Sequence, residues 1–290
     1  MSNILGSFKK TVVDRWPVAY AELRGSQPII SPLKEHSLNT GKILAGLFKR
    51  QLKIVENRTR SFYNWERDET LKFAEIMGLL HDIGKSSNYY KSSFLNNSFN
   101  AGQVKVSFPY HEFAAGMLIA VLLVENSNEY TKRKARLLMQ AILRHHAAMK
   151  DRLTENLLCN DIIKVTVGVE KKILEEFLKE CADHPLCAVE LDDYPGRIMK
   201  RQSYCREGLL KCSSQQIEEG GQAYEMFAVK VLAGLLVVAD NLAAACERGA
   251  FPYNLSSYVR DWLKELRIDI GEVRADDPNI CVCDIVCMKR

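Results

Sequence analysis

Apolar residues recur along most of this chain at spacings of three and four, the period of a helix with one buried face. On that pattern helices are expected over about 38–57, 66–83, 110–125, 130–147, 170–182, 222–248 and 256–266. Short alternating runs at 163–169, 268–273 and 280–286 read as strands. The stretch Ser86–Ser107 is rich in Ser, Asn, Tyr and Lys and lacks a helical period. It reads as a long loop, and loops of that length inside a compact domain are often functional. Residues 184–221 contain His-Pro, Tyr-Pro-Gly and Gly-Gly breakers and read as irregular. The expected fold class is mainly α, a helical bundle with a few short peripheral strands. Residues 1–250 are expected to form one domain, and 251–290 a C-terminal extension packed on it.

Composition narrows the class only a little. The chain has 290 residues, 47% of them hydrophobic and 26% charged, which is ordinary for a globular protein. That length accommodates one large domain, or one with a smaller lobe, and leaves no room for a two-lobed ATP-driven motor. Forty basic residues against 36 acidic ones give a net charge of +4, a weak pointer to a polyanionic partner. The start, Met1–Lys10, lacks the basic-then-apolar pattern of a secretory signal. The apolar stretches Phe113–Val124 and Val231–Ala239 fall short of the roughly 18–20 residues of a membrane span. They read as core helices, and the expectation is a cytoplasmic protein with no membrane partner. Most of the nine cysteines sit singly and read as small buried hydrophobes. Cys281, Cys283 and Cys287 cluster, but one intervening residue is too few for a usual zinc pair. Gly84-Lys85-Ser86 imitates the end of a phosphate-binding loop. Gly78 lies one position too far away, and the residues between are bulky.

The chemistry is carried by the six histidines. His81-Asp82 ends the apolar run Phe73–Leu80, where an unpaired carboxylate would be costly to bury. A divalent cation would compensate the acid and take neutral imidazole as a ligand. Asp240 is a single acid in the equally apolar run Phe227–Ala245, and reads either as a second such ligand or as a capped buried acid. His145-His146 ends another amphipathic stretch. Adjacent helical side chains diverge by about 100°, so both reach one centre only where the helix ends. His111 opens the helix after the long loop, and His36 precedes a helix start. His184, in Asp183-His184-Pro185, has no acid-rich apolar setting and is left outside the site.

The ordered set His36, His81-Asp82, His111, His145-His146 and Asp240 resembles the HD superfamily of metal-dependent phosphohydrolases, from about residue 30 to 248. Simple members of that superfamily need only His, His-Asp and Asp, so the additional histidines imply a second metal. His-Asp-Ile-Gly-Lys, with Lys85 three residues after Asp82, and the His-His pair look like the CRISPR-associated HD nucleases of type I systems. The cyclic-dinucleotide phosphodiesterases continue His-His with Glu. Here Ala147–Lys150 follows, which departs from that branch. The resemblance implies an HD-domain helical bundle. One metal would be held by His36, His81, Asp82 and Asp240, and a second by His111, His145 and His146, with Asp82 bridging. It also implies a stand-alone nuclease in antiviral defence, working with a separate helicase chain and the CRISPR effector complex.

Two metals roughly 3.5–4 Å apart activate water and stabilise both oxygens of a phosphodiester displacement. Mixed imidazole and carboxylate ligands suit Mn, Fe, Co, Ni or Zn, with Mg also admissible. Asp82 and Lys85 are the candidate catalytic residues, Lys85 reading as a phosphate contact or a solvated lysine. The expected substrate is single-stranded DNA, with RNA tolerated, cut as by an endonuclease. Tyr89, Tyr90, Phe94, Phe99, Phe108 and Tyr110 could stack on bases or pack their loop onto the core. Lys49, Arg50 and Lys53, and Lys132, Arg133, Lys134 and Arg136, could follow a phosphate backbone or be solvated. The competing enzymatic reading is an HD-type phosphohydrolase acting on small-molecule nucleotides. A helical scaffold without catalysis is the third.

Overall fold

In the computed structural model, which describes residues 2–96, 104–124, 128–146, 159–200 and 222–248, the apolar stripes of the sequence turn inward onto helical neighbours. The chain runs through α1 (Ser2–Asp14), the hairpin β1 (Val18–Arg24) and β2 (Gln27–Pro32), then α2 (Leu33–Leu47), α3 (Lys49–Tyr63) and α4 (Glu69–Leu80). A 3-10 turn, Ile83–Ser86, leads to α5 (Asn88–Asn96), β3 (Val104–Lys105), α6 (His111–Ile119) with a π-helical continuation Ala120–Val124, and α7 (Glu129–Arg144). Then follow α8 (Cys159–Val167), α9 (Lys171–Lys179), a 3-10 turn Pro185–Cys187, α10 (Tyr194–Lys200) and the 26-residue α11 (Gln222–Glu247). The architecture is mainly α, with one three-stranded antiparallel sheet in the order β2-β1-β3.

Several elements differ from the periodicity reading. The stretch 38–57 is two helices, broken where Phe48 leaves helical geometry at φ −103° and ψ 20°. Of the stretch 163–169, residues 163–167 belong to helix α8 and 168–169 to the turn that ends it, so it is not a strand. The helix buries Ile162, Ile163, Val165 and Thr166, with Val169 just beyond its end, a helical spacing that the polar Thr166 disguises. The Thr166 hydroxyl is satisfied by donating to the Ile162 carbonyl, 2.6 Å away. The stretch 86–107 is not one loop, for it contains α5, whose buried side is only Tyr90 and Phe94, and β3. Within 184–221, Tyr194–Lys200 is helical. The hairpin β1–β2 is absent from the sequence reading because alanines dilute its alternation; Gly25 turns it at φ +61°. Cys181 and Cys187, read as free thiols, are joined in a disulfide with Cα atoms 5.9 Å apart. The stretches 256–266, 268–273 and 280–286, with Cys281, Cys283 and Cys287, lie outside the described residues.

Two close approaches position the site. Helices α2 and α4 touch through glycine, since a Cβ on Gly78 would lie 2.3 Å from the Gly41 nitrogen. Nothing larger than hydrogen fits, and the contact brings the start of α2 beside the end of α4. Gly84 makes the second approach: a Cβ there would stand 2.2 Å from the His111 carbonyl oxygen. Helix α11 packs across α2, α3 and α7, burying Ala228, Leu232, Leu235, Leu236, Ala239 and Leu242. Ala223–Glu247 is long and apolar enough to cross a bilayer by length and composition, but 67% of its most apolar window is buried inside this fold.

Candidate metal centre

Six of the seven candidate ligands stand where a helix begins, ends or is entered, and the seventh, Asp240, projects from within α11. His36 lies in the first turn of α2, and His81 caps the end of α4. Asp82 opens the 3-10 turn, and His111 is the first residue of α6. His145 caps α7, with His146 in the turn beyond it. The preceding Tyr110 takes a left-handed conformation, φ +66°, to deliver His111, an unusual backbone for an aromatic residue. Because α7 ends at Arg144, the neighbouring rings of His145 and His146 do not diverge; their centroids are 4.0 Å apart.

All seven residues named from the sequence come together, in two groups sharing one acid. His36, His81, Asp82 and Asp240 offer ligand atoms within 4.8 Å of one another, and so do Asp82, His111, His145 and His146. The two oxygens of Asp82 divide between them. Oδ2 lies 3.6 Å from His36 Nε2 and 3.3 Å from His81 Nε2, while Oδ1 lies 3.1 Å from His111 Nε2 and 3.9 Å from His145 Nε2. Asp240 Oδ1 closes the first group, 3.0 Å from His36 Nε2 and 3.7 Å from His81 Nε2. His146 Nε2 closes the second, 2.9 Å from His111 Nε2.

The imidazoles are aimed through their Nδ1 atoms. His81, His111 and His145 set Nδ1 against the carbonyls of Gly78, Phe108 and Ile142, at 2.7, 2.6 and 2.5 Å. Donation there fixes the tautomer and leaves each Nε2 lone pair facing the centre. His81 Nε2, Asp82 Oδ1 and His145 Nε2 are fully buried without a hydrogen-bond partner. Buried polar atoms are rarely orphaned, and three pointing into one space fit a cation held there.

The two groups differ electrostatically. Burial opposes charging of His36, but its bonds to Asp240 and Glu247 outweigh this and raise its pKa to about 9. Burial is likewise overcome at His81 by the field of Asp82 and a bond to Asp240, giving about 10. Burial raises Asp82 and Asp240, yet neighbouring imidazoles, joined at Asp82 by Lys85, hold both well below the usual carboxylate range. In the second group burial dominates. It pushes His145 well down and His146 to about 4, each helped by a neighbouring histidine. Protons thus occupy the first group where a cation would sit, while His145 and His146 are already neutral.

Lys85 Nζ donates to Asp82 Oδ2 at 2.5 Å and lies over the Phe108 ring, so it is no free surface lysine. Glu247 escaped the sequence reading; its Oε2 accepts from His36 Nδ1 at 3.0 Å. Its signal is spacing, since it follows Asp240 by seven residues on the same helix. His184 stands apart, with Nδ1 accepting from the Leu186 amide and Nε2 3.7 Å from Glu69.

The nucleic-acid features fare unevenly. Tyr90 and Phe94 are 2% and 3% exposed, so they pack the core and do not offer stacking faces. Tyr89 is exposed and Phe108 half-buried, while Phe99 lies outside the described residues. Lys134 is buried, pairing with Glu69 over the Trp65 ring. Arg133 covers Phe62, and Lys53 bridges Glu56 and Asp68. Lys49, Arg50 and Arg136 remain exposed, and Lys132 is half-buried.

The model of one family, described as Cas3, HD domain, matches residues 21–247. No curated protein and no solved structure matches the chain.

Proposed function

The chain belongs to the Cas3 HD-domain family, the metal-dependent nucleases of CRISPR type I systems, and from that premise we propose that it cuts single-stranded DNA at a centre of two divalent metal ions. One observation supports the count of two above all others. The oxygens of the buried Asp82 are shared between two ligand groups, each complete with imidazoles.

In this reading His36, His81, Asp82 and Asp240 hold one ion, and Asp82, His111, His145 and His146 the other. Such a pair lowers the pKa of a bound water and stabilises the attacking and leaving oxygens of a phosphodiester. The protein's part is to keep the seven side chains in place before substrate arrives. Helix ends do much of this, and Nδ1 bonds to backbone carbonyls orient His81, His111 and His145, while Glu247 holds His36. Lys85, tethered to Asp82 from one turn away, contributes an ammonium that donates to a non-bridging phosphate oxygen. With Tyr90 and Phe94 turned inward, strand binding rests on the phosphates, the metals and the exposed Tyr89, and so carries no base preference. A helicase on a separate chain and the CRISPR effector complex supply unwound DNA, in the cytoplasm, for antiviral defence. The donor set admits Mn, Fe, Co, Ni or Zn, with Mg at higher concentration.

The test is a panel of labelled single-stranded DNA, duplex DNA, RNA and free nucleotides against these metals, with Asp82→Asn beside wild type. Metal-dependent cutting of single strands by wild type alone is the expected result. Release of phosphate or pyrophosphate from nucleotides, with DNA left intact, would replace the reading with a small-molecule phosphohydrolase. Equal cleavage by both proteins would remove this centre from the reaction.

A further inference from the structure

We propose that Glu247 is the positioning residue for His36 and through it sets the metal affinity of the His36–His81–Asp82–Asp240 group, leaving the second group unaffected. The inference rests on the metal-centre reading above. Asp240 and Glu247 are seven residues apart on α11, two turns, and so share one face of that helix. The His36 ring lies between them. Nε2 is 3.0 Å from Asp240 on the side of the centre, and Nδ1 is 3.0 Å from Glu247 on the opposite side. Glu247 is therefore outside ligand reach of the centre and is bonded to the ring nitrogen that must carry the proton when Nε2 acts as a ligand.

Glu247 is itself fixed. It accepts from the Ser31 hydroxyl at the end of β2 and from Asn39 Nδ2 on α2, the latter at 3.3 Å. Its carboxylate thus has three donors, two of them flanking the entry to α2 that carries His36. Within the centre, His81, His111 and His145 bond through Nδ1 to neutral carbonyls. His111 Nδ1 has Glu112 at 3.4 Å besides, but its hydrogen bond goes to Phe108. A carboxylate on Nδ1 makes an imidazole a stronger and better-oriented ligand than a carbonyl does, and losing such a partner typically weakens metal binding about 10–100-fold.

The experiment uses the full chain, stripped with chelator and titrated calorimetrically with Mn²⁺, and with Co²⁺ followed by its visible absorption. The proteins are wild type, Glu247→Gln, Glu247→Ala, His36→Ala, and His36→Ala with Glu247→Gln. In Glu247→Gln, whose amide oxygen still accepts from Nδ1, one class of ion should bind about tenfold more weakly and the other should be unchanged. Glu247→Ala should lose more, up to about a hundredfold. In the His36→Ala background, Glu247→Gln should cost no further affinity. Unchanged binding of both classes in Glu247→Gln would overturn the proposal and leave Glu247 a clamp between β2, α2 and α11. So would equal weakening of both classes together with a lower melting temperature of the metal-free protein. Wild type that binds no ion would sink the metal centre itself, an outcome separate from either.

Discussion

Gly78→Ala adds a single methyl group where the fold has no space for one. The new Cβ would stand 2.3 Å from the Gly41 nitrogen, 2.4 Å from its Cα and 2.8 Å from the Thr40 carbonyl carbon. Ordinary contact begins at 3.4 Å, so α2 and α4 must separate by about an ångström. The obstructing atoms are backbone and cannot rotate away. Overpacking of this kind costs about 1–3 kcal/mol, occasionally more, and the rigid partner places Gly78→Ala at the upper end. At about 3 kcal/mol the melting temperature of a chain this long should fall by roughly 5 °C. The same displacement pulls His36, on α2, away from His81 at the end of α4. Metal binding by the first group should therefore weaken well beyond any change in the second. Gly6→Ala is the internal control, because nothing lies within 4 Å of a Cβ on Gly6, in the interior of α1. The same methyl there should stabilise by about 0.5–1 kcal/mol. Thermal denaturation with and without chelator, paired with metal titration, reads both variants. Gly78→Ala melting within a degree of wild type and binding both ions normally would refute the reasoning.

Three further outcomes follow from the geometry. In metal-free protein, His36 and His81 have folded pKa values of about 9 and about 10 against an unfolded value of 6.5. Their contribution is complete below about 6.5 and is lost as pH rises through 9 and 10. The melting temperature of chelated protein should therefore decline from pH 7 to 10, and metal uptake at pH 7 should release protons. A flat profile and no proton release would contradict the protonated first group. Glu69→Gln leaves the Lys134 ammonium buried at 9% exposure without its acid, and should cost about 3–5 kcal/mol in urea denaturation. Lys134→Met, which removes that charge, should cost less. Glu69 is raised by burial but brought down to about 2 by His184 and Lys134, so its contribution is present above about 4.5 and is lost as pH falls through 2. Asp82→Asn, which breaks both groups at once, should abolish tight binding of both ions, measured by metal content after desalting. Retention of one ion at full occupancy would show that Asp82 is not shared.

The histidines were legible in the sequence because buried imidazole and carboxylate in apolar surroundings need a reason, and the reason survives without coordinates. Helix ends were legible for the same cause, since His145-His146 can converge only where a helix stops. Strand against helix at 163–169 was not legible, because β-branched residues serve both periods and Thr166 sits in the buried stripe. The basic run Lys132–Arg136 was only partly legible, because composition does not say which lysine faces a half-buried glutamate.

The sequence by itself determined the donor types, their order, the mainly helical class and the likeness to HD-type nucleases, all properties of local chemistry and spacing. Tertiary structure alone decided that Asp82 turns one oxygen to each group, that Glu247 reaches across 211 residues to His36, and that Gly41 and Gly78 let two helices touch. Those facts depend on where distant segments cross, and crossing is set by the packing of whole surfaces, which no residue records alone.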